Sequence, residues 1–234
     1  MSTHYARFPD GEEIAAACIL PLTTEDWKCI QANMWRRVSG VFSSRKMNAS
    51  LPWRKPLERA LLCLLEVDPW VDSIETMPHQ VVLVVDGRER RYTPGIQIHS
   101  GGRIAVMDAV SDSRAADPAR IELTSVLKSV YRARGLNYGV VPQREILLEP
   151  RFGNTRSILK CRGFTPDVET ERRVVEILST ARSSTIAGIQ ERLASRPYGP
   201  DTGCAMMLAG RVTLDLSAAR PSEMRVALRT RDGA

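Results

Sequence analysis

Nowhere in the 234 residues does an apolar run approach the roughly 20 residues that a membrane-spanning helix needs. The first residues, MSTHYARFPDGEEI, lack the charged start and apolar block of a secretory leader, so a cytoplasmic location is expected. Histidine is scarce: His4, His79 and His99 are the only three. The five cysteines, Cys18, Cys29, Cys63, Cys161 and Cys204, stand neither in pairs nor near a histidine at zinc-ligand spacing. That argues against a structural zinc, and the odd, unpaired count fits reduced thiols. Internal repeats and low-complexity tracts are also missing. At 43% apolar and 26% charged residues the composition is that of a globular protein, and the chain is long enough to bury a core without staples.

Charge is unevenly spread. Up to Pro150 there are 19 Lys and Arg against 18 Asp and Glu, a net +1; beyond it there are 14 against 9, a net +5 in the shorter part. A surface of that kind attracts phosphate backbones, although a small basic domain need not bind nucleic acid.

Residues 1–35 read as an irregular N-terminal arm with one helix. A basic stretch follows, with Arg36, Arg37, Arg45, Lys46, Arg54, Lys55 and Arg59 and no acid before Glu58. It is either a solvated loop or a track along DNA. Residues 57–66 (LERALLCLLE) predict a largely buried helix, opened by Pro56 and closed by Pro69. Three strands are expected next: 81–85 (VVLVV), buried on both faces, then 92–98 and 103–110, with turns at Asp86-Gly87 and Ser100-Gly101-Gly102. A helix at 118–134 and a short strand near 146–148 complete a mixed α/β domain over 36–150. Residues 151–166, with Gly153, Gly163 and Pro166, read as a connector. From 167 to 234, helices at 168–181, 186–194 and 201–209 precede strands at 211–216 and 224–228, which is a winged-helix-like pattern. Asp201 is the expected cap of the third helix.

Two carboxylates fall among apolar neighbours. Glu58 shares a helical face with Leu61, Leu62 and Leu65, and Asp108 shares a strand face with Ile104, Val106 and Val110. A buried carboxylate needs a metal, a cation or a route to water. The alternatives are a favourable helix dipole for Glu58 and a solvent-facing strand end for Asp108. Together the two acids suit Mg²⁺, a hard ion that takes oxygen ligands and activates water.

The chain carries Leu57-Glu58-Arg59, Leu65-Glu66-Val67-Asp68-Pro69 and Arg91-Tyr92-Thr93-Pro94, in that order. These motifs resemble the N-terminal domain of the TnsA endonuclease family, whose strand after Tyr-Thr-Pro opens on aspartate and whose next strand ends acid (or Gln)-x-Lys. The likeness runs on through ILLEPRFGNTRSILKCR into the basic C-terminal part and covers roughly residues 43–230. It implies a restriction-endonuclease-like domain followed by a small winged-helix-like domain. It also implies work on transposon-end double-stranded DNA beside a DDE transposase and an AAA+ ATPase, in which this subunit cuts the strand the transposase leaves.

The catalytic pattern departs from the family. Glu58 matches the first acid, but the central aspartate is Gly95. The last acid falls on Asp108 with Val110 in the lysine's place, or, one residue back, on Met107 with Ala109. Glu58 and Asp108 would then be remnant metal ligands, holding Mg²⁺ weakly through its waters at most, and the expectation is a metal site that fails. Asp86 or Glu89 would have to move in for a nuclease with relocated ligands to work. A third reading is a non-enzymatic DNA-binding regulator. The third C-terminal helix (DTGCAMMLA) has no Arg, Lys, Asn or Gln, so base readout from it is expected to be poor and protein docking favoured.

Overall fold

A computed structural model describes residues 6–7, 13–35, 38–85, 88–193 and 200–229. The chain is mixed α/β and divides into two compact units, Met1–Leu62 with Trp70–Ile146, and Cys63–Pro69 with Leu147–Ala234. Among the described residues no helix is long and apolar enough to cross a membrane.

The first unit opens with β1 (Ala6–Arg7), β2 (Glu13–Leu20) and α1 (Thr24–Trp35), then a hairpin of β3 (Gly40–Ser44) and β4 (Ala49–Trp53). Helix α2 (Pro56–Val67) follows, and its residues from Cys63 onward count with the second unit. Next come β5 (Ser73–Thr76), β6 (Gln80–Val85), β7 (Arg88–Tyr92), β8 (Ile96–Ser100) and β9 (Arg103–Val110). The unit ends with α3 (Asp112–Ala115), α4 (Pro118–Arg132), β10 (Asn137–Pro142) and α5 (Gln143–Ile146).

These strands build two four-stranded sheets besides the hairpin. One, in the order β1-β2-β6-β7, is antiparallel throughout. The other runs β10-β9-β8-β5; β5, β8 and β9 alternate in direction, and β10 lies parallel to β9. A parallel neighbour needs a crossover, which α3 and α4 supply. Helix α4 starts cleanly because Asp117 accepts the Ala119 N–H at 3.1 Å and Pro118 takes the first turn. Its buried face, Val126, Leu127, Val130 and Tyr131, packs with Val81 and Leu83 of β6, Val106 of β9 and Tyr138 of β10.

Several sequence expectations are corrected here. The arm contributes a strand, because Glu13–Leu20 pairs along β6; three alanines in EIAAACIL hide the strand signal, and the partner supplies it. The basic stretch contains the β3–β4 hairpin. The strand expected at 92–98 is two strands in different sheets, interrupted at Thr93-Pro94-Gly95, since proline cannot continue a ladder. Ser73–Thr76 is a further strand. The strand expected near 146–148 lies earlier, at Asn137–Pro142, where pairing with β9 overrides Gly139 and Pro142; Ile146 ends a short helix instead. The Asp86-Gly87 turn lies outside the described residues.

In the second unit α6 (Arg151–Lys160) occupies the expected connector; Glu149 accepts the Gly153 N–H at 2.9 Å, which offsets that glycine's weak propensity. Then come α7 (Val168–Ala181), β11 (Ser183–Thr185), α8 (Ile186–Arg192), α9 (Pro200–Leu208), β12 (Val212–Leu214) and β13 (Arg225–Leu228). The three strands pair antiparallel in the order β11-β13-β12. Residues 202–207 of α9 are all buried, against α6, the turn 161–163 and β12. Asp201 is not the cap: it lies within α9, and its Oδ1 accepts from the Cys161 thiol at 3.3 Å.

Candidate functional site

Three positions converge in the first unit. Pro56 opens α2 so that Glu58 sits in the first turn, and its carboxylate turns back on the approach to the helix. The Arg54 N–H donates to Glu58 Oε2 at 2.7 Å and the Arg54 guanidinium to Oε1 at 2.9 Å. Gly95 stands just before β8, and its N–H donates to Asp108 Oδ1 at 2.8 Å. A Cβ on Gly95 would lie 3.3 Å from both Glu58 Oε1 and Asp108 Oδ1. The strand alternation of β9 that turns Val106 into the core turns Asp108 the same way, so the two carboxylates face each other across the glycine. They are 4% and 6% exposed. Asp108 is therefore the residue of β9 that meets Glu58, and Val110, buried, follows it on the same face.

The second oxygen of Asp108 is crowded with donors. The hydroxyls of Tyr92 and Tyr138 both donate to Oδ2, and the Arg120 guanidinium reaches it at 3.0 Å. Arg120 also donates to the Tyr92 hydroxyl at 2.8 Å and to that of Tyr138 at 2.9 Å. Tyr138 stacks on Tyr131 at 5.2 Å, and the Tyr131 hydroxyl lies 2.5 Å from His79 Nε2.

Burial, and then the facing Asp108 carboxylate, pushes the Tyr92 hydroxyl up to about 12 and raises Tyr138 further. Both phenols therefore hold their protons and act as donors. Burial opposes the charge on Arg120, but Tyr92, Tyr138 and Asp108 outweigh it and hold the guanidinium above its usual range. Burial alone depresses His79.

The donor set does not fit Mg²⁺. The ion needs several oxygen ligands, and here two carboxylates are each bound by an arginine. Gly95 offers no side chain between them, and Val110, next on the same strand face, is apolar and buried. Glu58 and Asp108 against Arg54 and Arg120 is two negative charges against two positive, a net of zero. Among the described residues no three His, Cys, Asp or Glu side chains cluster as a metal site would require. Glu89 is exposed on β7 and paired with Arg91 at 2.6 Å, and Asp86 lies outside the described residues.

Arg36 and Arg37 lie outside the described residues. Arg45 is exposed in the β3–β4 turn beside the half-buried Lys46, and Lys55 and Arg59 are exposed at the start of α2. Arg54 is engaged inside the site, on Glu58 and on the Thr93 carbonyl oxygen at 3.1 Å.

Sequence reading missed Arg120, Tyr138 and the inward role of Arg54. Arg120 was traceable: it sits 7 and 11 residues before Leu127 and Tyr131, on the buried stripe of α4, and a buried arginine needs an acid. No family model matches this chain, and no curated protein matches it.

Proposed function

We propose that this chain is a TnsA-like subunit of a heteromeric DNA transposition machinery, in which the nuclease centre is kept as architecture and does not cut. The observation that carries the reading is the place where Glu58, Gly95 and Asp108 meet. The first of these comes from a helix, the second from the start of a strand and the third from the next strand of one sheet. The order α2, β5, β8, β9, α4, β10, with β10 parallel to β9, supports a restriction-endonuclease-like reading of helix–three strands–helix–strand, in which β6–β7 would be an insertion. The motif resemblance assigns the TnsA family's acids to Glu58, Gly95 and Asp108 and its lysine to Val110, and the convergence of the first three supports that assignment.

The second unit supports a winged-helix-like reading, with α7, β11, α8 and α9 before a β12–β13 wing and β11 beside β13. Its third helix is buried as well as devoid of base-reading side chains, so it cannot lie in a major groove in this arrangement. Exposed Arg156, Lys160, Arg182, Arg192 and Arg211 suit phosphate contacts, which supply affinity rather than sequence choice. Arg45, Lys46, Lys55 and Arg59 suit the same role in the first unit. The expected partners are transposon-end duplex DNA, a DDE transposase and an AAA+ ATPase.

The test is co-purification of the full chain with the DDE transposase encoded nearest to it, with and without a transposon-end duplex. A stable complex that Glu58→Ala leaves intact supports a scaffold subunit. Failure to associate with any such transposase, alongside ordinary DNA binding, would favour a free-standing DNA-binding regulator.

A further inference from the structure

We propose that Arg54 and Arg120 stand in for the divalent cation, so that the site has become an internal ion-pair cluster that excludes metal. The inference rests on the nuclease ancestry argued above and deepens it: a catalytic centre can lose a ligand and still bind metal weakly, whereas this one has been refilled.

A metal centre built on carboxylates is held together by the ion, and without it the acids repel one another. Here each acid has its own guanidinium, at 2.9 Å for Glu58 and 3.0 Å for Asp108. The guanidinium of Arg120 is buried with its acid, so little solvent screens the pair. Entry of a doubly charged cation into a site whose charges already cancel meets two fixed positive charges. The tyrosines complete the exchange: the lone pairs of Asp108 Oδ2 are taken by Tyr92, Tyr138 and Arg120, and Oδ1 takes the Gly95 N–H. A metal would have to displace these donors. Gly95 belongs to the same arrangement. A side chain there would start 3.3 Å from both carboxylates, and an aspartate would add a third negative charge against two arginines. Restoring Gly95→Asp alone is therefore expected to destabilise the protein rather than recover a metal site.

The test is a calorimetric titration of the full-length wild type with Mn²⁺, with thermal unfolding in Mg²⁺ or Mn²⁺ at constant ionic strength. The same melts are run on Arg54→Gln/Arg120→Gln, with and without Gly95→Asp. The wild type is expected to give no saturable heat and no metal-dependent change in Tm. The arginine-free variants are expected to melt lower and to recover several degrees on adding metal, since a ligand that binds only the folded state raises its stability. Saturable Mn²⁺ uptake by the wild type, abolished in Glu58→Gln, would overturn the proposal. So would folded arginine-free variants indifferent to metal. If the double variant does not fold, the wild-type titration decides alone. Neither DNA nor transposase enters these measurements, so loss of the transposition reading would leave their outcome unchanged, and the reverse holds too.

Discussion

Arg120 ties together the buried polar groups around Asp108. It is nearly inaccessible, and it satisfies one carboxylate and two phenols at once. Removing one partner of a buried pair leaves the other charge uncompensated, so Arg120→Met is expected to cost about 3–5 kcal/mol, read by urea unfolding. Gly95→Ala brings a methyl within 3.3 Å of two carboxylate oxygens and should cost about 1–3 kcal/mol by crowding, against a negligible effect at the open Gly139. His79 adds a pH dependence. Its folded-state pKa is lowered from 6.5 by burial, so the folded form takes a proton less readily than the unfolded chain. Its contribution is complete above pH 6.5 and is lost as pH falls through the lower folded value. Melts across that window should show a slope in the wild type that His79→Gln flattens; an unchanged slope would remove His79 as its source. Glu58 and Asp108 were legible as carboxylates on otherwise apolar faces of a helix and a strand. The cations opposite them were not, because a guanidinium partner is chosen by the folded chain and leaves no spacing rule behind.

Elements with strong local periodicity were legible, and those fixed by pairing were not. Helix α2 announces itself by LERALLCLLE, and α7 matches its expected limits at both ends. Strands β2 and β10 carry alanine, glycine or proline and become strands only because β6 and β9 lie beside them. Burial of α9 could not be read locally either, since it depends on α6, a segment that glycine and proline disguised as a connector. That burial has a testable consequence. Met206→Ala should lower stability by about 2–5 kcal/mol, as for any large core truncation, and leave DNA affinity of the folded protein unchanged. A selective loss of DNA binding with little loss of stability would mean that α9 reads nucleic acid after all.

For the whole molecule, charge and site chemistry point to separate tasks. The positive excess lies beyond Pro150, where Arg156, Lys160, Arg182, Arg192 and Arg211 are exposed, while the Glu58–Asp108 constellation is internally neutralised. DNA binding by the full chain should therefore be salt-sensitive, sequence-tolerant and indifferent to Glu58→Ala. These properties suit a subunit that holds DNA for a partner enzyme. The most direct test is strand nicking of a labelled transposon-end duplex by the wild-type protein in Mg²⁺ and in Mn²⁺, beside Glu58→Ala and with the partner transposase present and absent. No nick attributable to this chain in either metal is the expected result. Cleavage by the wild type that disappears in Glu58→Ala would contradict the account and place a working metal centre at the arginine-bound carboxylates.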